Sequence, residues 1–172
     1  MKYRSTLKFR VSLLVLFLCF FSSYNILAQE NGIYELDNQI TNNQKNDKTK
    51  KDNRANFYDL ALNMHPTHYR KDKKLKEVYG NGFAKKITFE DLISAKFINE
   101  DLSTDYSNVE LITIKVLNVT DINDNVDLTN QKLKKLKYVF IKCNFDCNNE
   151  QIKKFIKVNP NIRVFYKTDK AS

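Results

Sequence analysis

Tryptophan is absent from these 172 residues, which contain only 3 glycines and 2 prolines. So few turn formers exclude collagen-like and proline-rich architectures and argue against a turn-dense β-sandwich or barrel. Three glycines also make a phosphate cradle hard to build. The chain has no nucleophile elbow, no Gly-rich phosphate loop and no His-Glu pair on a helix. Catalysis is therefore not expected. Histidine occurs only as His65 and His68. Their spacing, with Cys143 and Cys147 far along the chain, matches no zinc finger or ribbon. No metal and no other cofactor is expected.

What is present suits a folded domain. The chain is 42% hydrophobic and 28% charged, which places it with globular proteins rather than fibrous or wholly disordered ones. Lys2, Arg4, Lys8 and Arg10 precede an apolar run from Val11 to Phe21, and Ala28 stands before Gln29. A basic start, a short apolar stretch and a small residue at the cut predict a secretory signal over residues 1–28. The run falls short of the ~20 residues a membrane-spanning helix needs. Cys19 suggests a lipid anchor instead, but Phe17 and Leu18 are bulky where small residues are required. An exported protein is expected, periplasmic or secreted, with no stable membrane span once the signal is removed.

Removing the signal lowers the charge. The 29 basic residues include four in the signal, so 25 remain against 20 acidic ones, a net +5. Part of the surplus sits in Lys45, Lys48, Lys50, Lys51 and Arg54, beside the signal. A charge run there reads as a solvated linker, not as the basic stripe of a nucleic-acid-binding face.

Residues 29–54 are rich in Asn, Lys and Asp with few apolar side chains, and predict a disordered linker. Residues 55–82 predict a helical cap. Phe57, Leu60, Leu62 and Met64 mark one short helix ending near Pro66. Leu75, Val78 and Tyr79 mark another, ended by Gly80-Asn81-Gly82.

Residues 83–172 carry the strongest signal, which is self-similarity. The template apolar-x-x-apolar-x-apolar fits Ala84-Ile87-Phe89, Val109-Ile112-Ile114 and Leu136-Val139-Ile141. Ile162 and Phe165 fit its first two positions, and Lys167 breaks the third. A period near 26 residues predicts stacked units, with Ile112, Val139 and Phe165 in one buried layer. Helical connectors are expected after Asp127 and after Asn148 or Asn149, and a looser turn over 101–108. The fold class is α/β: a short parallel-sheet solenoid of three to four repeats behind an N-terminal helical cap. A non-repetitive βαβ domain with evenly spaced strands is the alternative.

The segment Leu136-Lys-Tyr-Val139-Phe-Ile141-Lys-Cys-Asn144 is similar to the L-x-x-L-x-L-x-x-N/C core of leucine-rich repeat proteins. Asn159-Pro160-Asn161-Ile162 resembles the approach to a repeat strand in that family. The resemblance spans about residues 82–168. Leu92, Leu117 and Lys170 replace the turn asparagine in the other units. It implies an exported module that binds a protein or other macromolecule, such as an envelope component, through its sheet face.

Residues between the core positions point away from the core. That places Tyr138, Phe140 and Tyr166 outward as apolar anchors, with Lys86, Thr88, Thr113 and Lys115 as polar contacts. The bland explanation is that the linker or a second subunit covers these aromatics. Cys143 and Cys147 are a candidate disulfide across a five-residue ring. Two other functions fit the same pattern: a structural envelope protein with no discrete ligand, and a small exported α/β enzyme.

Overall fold

Four segments alternate in character and lie side by side: β4 (Lys86–Phe89), β5 (Leu111–Val116), β7 (Tyr138–Cys143) and β9 (Arg163–Thr168). Their first residues are 25, 27 and 25 positions apart, and each strand runs parallel to the next. Register is in step across all four. Ile87, Ile112, Val139 and Val164 form one row; Phe89, Ile114, Ile141 and Tyr166 form the next on the same face. Residues 32–36 and 54–168 are described in this computed structural model. The expected signal, Cys19 and most of the expected linker lie outside them.

Three further strands widen the sheet. β1 (Ile33–Glu35) pairs parallel with β9, and β2 (Thr67–Lys71) pairs parallel with β4 and antiparallel with β3 (Lys74–Tyr79). The order is β1-β9-β7-β5-β4-β2-β3, a mostly parallel, open seven-stranded sheet. A separate two-stranded ladder joins β6 (Val126–Asp127) to β8 (Ile156–Lys157).

The connectors between β4, β5, β7 and β9 pack on one face. α2 (Leu92–Lys96) starts at Asp91, whose carboxylate accepts the Ser94 N–H. α3 (Asn149–Phe155) starts at Asn148 in a full capping box with Gln151, as its Asn-Asn-Glu-Gln sequence implies. Short 3₁₀ turns cover Phe97–Asn99 and Val119–Asn123. Leu92, Ala95, Ile98, Ile122, Leu133, Leu136, Ile152 and Phe155 bury against the Ile/Val rows. Burying an aliphatic side chain of this kind contributes about 1.5–3 kcal/mol.

The opposite face is covered by α1 (Ala55–Leu62), which buries Phe57 and Leu60 against Leu111, Tyr138, Phe140 and Phe165. A sheet buried on both faces fits the rule for parallel sheets.

Four expectations change here. Leu75, Val78 and Tyr79 have helical spacing but lie on the edge strand β3, after a tight turn in which Asp72 and Lys73 take positive φ. Thr67, Tyr69, Val78 and Tyr79 are residues that suit a pleated strand, and the hairpin satisfies their backbone. The edge it creates is exposed throughout, and it is blunted by a register shift beside Tyr69/Arg70 and by Lys74 and Lys76. Second, Ile33–Glu35 in the expected linker forms β1. Third, Asp127 opens no helix: its carboxylate accepts the Thr129 N–H and hydroxyl in a local turn. Fourth, Phe165 does not join Ile112 and Val139. In the earlier units the residue closing the turn (Val109, Leu136) stands two positions before the strand; Ile162 stands one before β9. That missing residue turns Val164 and Tyr166 into the connector-side core and Phe165 to the other face.

Candidate binding surface

On the α1 side, the strands carry three ranks of side chains from their beginnings to their ends. The first is Lys86, Leu111, Tyr138 and Arg163; the second is Thr88, Thr113, Phe140 and Phe165. The third is Lys115, Lys142 and Lys167 on three adjacent strands, with Glu90 just past β4. Aromatics thus gather on β7 and β9, threonines on β4 and β5, and lysines at the carboxyl ends.

α1 seals the aromatic corner. The Phe57 ring stacks on Phe165 with centroids 3.9 Å apart and meets Phe140 edge-on at 5.6 Å. Asn56 donates to the Tyr138 hydroxyl at 3.5 Å. Tyr34 of β1 stacks on Phe165 from the outer side, under the Arg54 guanidinium at 5.0 Å. Tyr138 and Phe140 are consequently 7% and 6% exposed. They are core residues here, not solvent-facing anchors, because a helix from their own chain fills the place expected for a ligand. Tyr166 lies on the connector face, 3% exposed, its hydroxyl donating to Glu35 at 3.2 Å. Burial, with the Glu35 charge beside it, pushes the Tyr166 phenol up to about 12.

The four polar residues expected at the site do share one face. Thr88 and Thr113 are register neighbours, largely buried, and form its floor. Lys115 makes a 2.7 Å ion pair with Glu90, with both side chains partly exposed. Lys86 donates to the Asn63 carbonyl at 3.1 Å. Burial lowers the Lys86 ammonium below its ordinary value and the Lys142 charge lowers it further, against the opposite pull of Asp59. Lys142 also lies over the Phe140 ring at 5.1 Å. Lys142 and Lys167 are absent from the residues expected at the site. The same alternation that turns Lys115 outward turns Lys142 outward on β7, and only Lys167 depends on the register of β9.

A second polar cluster sits on the connector side. Asp101, 4% exposed, accepts hydrogen bonds from the Ser103 N–H and hydroxyl and from the Thr104 and Tyr106 hydroxyls, and pairs with Arg70 at 2.8 Å. Burial pushes the Asp101 carboxyl up, but the Ser103, Tyr106 and Thr104 hydrogen bonds outweigh it and hold the group well below the usual carboxylate range. Burial and the bond to Asp101 raise the Tyr106 phenol. With five donors already engaged, the carboxylate has no lone pair to offer a substrate. It pins the 101–106 loop, where the polar sequence predicts a turn in place of a helix, to β2.

His65 bonds Asp59 at 2.9 Å, whereas burial lowers His68 on β2, helped by the Arg70 charge. Among the described residues, no group of three or more His, Cys, Asp or Glu side chains is placed to hold a metal ion. No described helix is long and apolar enough to cross a membrane. An open groove of about 310 Å³, lined in part by Pro66, Phe83, Lys85, Glu110 and Lys135, lies at the opposite, amino-terminal ends of the strands. Cys143 and Cys147 come together, with free thiols whose sulfurs are 2.7 Å apart. No protein-family model matches the chain, and neither a curated protein nor a solved structure is found to match it.

Proposed function

We propose that this is an exported, leucine-rich-repeat-like binding module whose sheet face takes an acidic segment of a partner protein. The even spacing and in-step register of β4, β5, β7 and β9 support the repeat reading. The observation that carries the function is the cationic rank: Lys115, Lys142 and Lys167 on neighbouring strands of one face, with Lys86 close enough for Lys142 to depress its pKa. Glu90 already pairs with Lys115 at one end of this rank, and an acidic segment would add counter-charge along it. Ligands of open parallel sheets also tend to sit at the carboxyl ends of the strands, where this rank lies.

The aromatic corner supplies rigidity instead of contact area. Lys86, Lys115, Lys142 and Lys167 are partly exposed, above a floor formed by Thr88 and Thr113. Each exposed charge contact is worth at most about 1 kcal/mol, so binding would be modest and salt-sensitive. Fluorescence-anisotropy titration with labelled polyglutamate at low and high salt tests this. Saturable binding should weaken with salt and drop at least tenfold in Lys115→Glu/Lys142→Glu. Equal affinity of wild type and double variant would refute the surface. No saturable binding at all would favour a purely structural role in the envelope.

A further inference from the structure

Beyond the sheet face, we propose that Cys143 and Cys147 form a two-electron dithiol/disulfide site that closes the five-residue ring between β7 and α3.

Cys143 is the last residue of β7, and Cys147 immediately precedes Asn148, the N-cap of α3. The strand end and the capping box hold the two backbones on either side of a short loop. Their sulfurs are 2.7 Å apart, inside the ordinary contact distance of two sulfur atoms, so little movement brings them to the ~2.05 Å of a bond. Both thiols are buried in the connector-side core. Among the described residues no third ligand joins the two sulfurs to make a metal site, and mutual oxidation is the chemistry this geometry favours.

The two thiols are not equivalent. Cys143 is fully buried, whereas Cys147 keeps 8% exposure next to the exposed Asp146 and Asn148. The hydrogen bond between the two thiols lowers the Cys147 thiol, against burial and the charges of Glu35 and Asp146. The same hydrogen bond raises Cys143, and burial raises it further. The first thiolate therefore forms at Cys147, and thiolates are the attacking species.

With glutathione disulfide as oxidant, the Cys147 thiolate attacks one of its sulfurs and displaces a glutathione thiolate. The Cys143 sulfur then gives up its proton and attacks the Cys147 sulfur, displacing the second glutathione thiolate. One Sγ–Sγ bond forms and one glutathione S–S bond is lost. The two protons pass to the two departing thiolates, and the two electrons reduce the disulfide to two glutathione molecules.

Trypsin releases both residues on one peptide, Cys143 to Lys153, with Cys19 on another. The full chain is incubated folded with oxidised glutathione, then denatured, alkylated and digested. The expected peptide carries no alkyl group, is lighter by two hydrogens than the reduced form, and gains two alkyl groups after reduction. Two alkyl groups without reduction would overturn the proposal. So would a stalled glutathione adduct, since it shows that the second sulfur does not reach the first. In Cys143→Ser the adduct should persist at Cys147; if only Cys147→Ser traps one, the order of attack is wrong.

Discussion

The two faces of the sheet are filled by different means. The connector face is aliphatic, with Ile87, Ile112, Val139 and Val164 in one row, and each connector packs close to the strands it joins. The α1 face is aromatic at one end and cationic at the other. Its cover comes from outside the regular part of the chain: Asn56 reaches Tyr138 across 82 positions, and Tyr34 reaches Phe165 across a still longer interval. A face filled by local connectors is specified by a repeated pattern. A face filled by one distant helix is specified by matched shapes that need not recur along the sequence. That contrast explains why the apolar alternation foretold one side well and left the cover over Tyr138 and Phe140 on the other unseen.

Breaking the polar anchor of the connector face should have the largest effect. Asp101→Ala leaves Arg70 buried beside Tyr106 without its carboxylate, and should cost about 3–5 kcal/mol in urea unfolding. The effect has a pH signature. The folded-state pKa of Asp101 lies below its unfolded value, so its contribution is complete above about pH 4 and is lost as the pH falls toward the folded value. Asp127, held at about 2 by hydrogen bonds from Thr129 and Lys157, acts with the same sign. Wild-type stability should fall as the pH drops below about 4, with a shallower slope in Asp101→Ala. Parallel slopes would mean that the Arg70–Asp101 network does not stabilise the fold.

Next comes the seal over the aromatic corner. Leu60→Ala should cost about 2–5 kcal/mol, the range for removing a buried leucine. Amide hydrogen exchange separates the two faces: protection should fall in α1 before it falls in α2 or α3. Simultaneous loss everywhere would show that α1 is an integral part of one cooperative unit and not a cover laid on a self-sufficient sheet.

Much of the fold was legible. The template located β4, β5 and β7 with the correct faces inward, and Asn148-Asn-Glu-Gln located α3 through its capping chemistry. The last strand was misjudged by one step, because Ile162 and Phe165 carry the right chemistry at the wrong distance from the strand. β3 was mistaken for a helix because i, i+3, i+4 apolar spacing also arises by chance on a short exposed edge. β1 was half legible for a different reason. Ile33-Tyr34-Glu35-Leu36 is an apolar patch able to pair, but nothing local to it records β9 as its partner. The candidate surface was half legible. Lys86, Thr88, Thr113 and Lys115 fell on one face as expected, while the aromatics were assigned to solvent because α1's docking is a long-range event.

The division of the α1 face into a sealed aromatic corner and a cationic rank is tested most directly by amide NMR of the full chain titrated with polyglutamate. Resonances of Thr88, Lys115, Lys142 and Lys167 should shift together and return at high salt, while those of Phe57, Leu60 and Tyr138 stay fixed. Shifts centred on α1 and Tyr138, with Lys115 and Lys142 unmoved, would contradict it: the helix would then be a displaceable cover, and the ligand surface would lie beneath it.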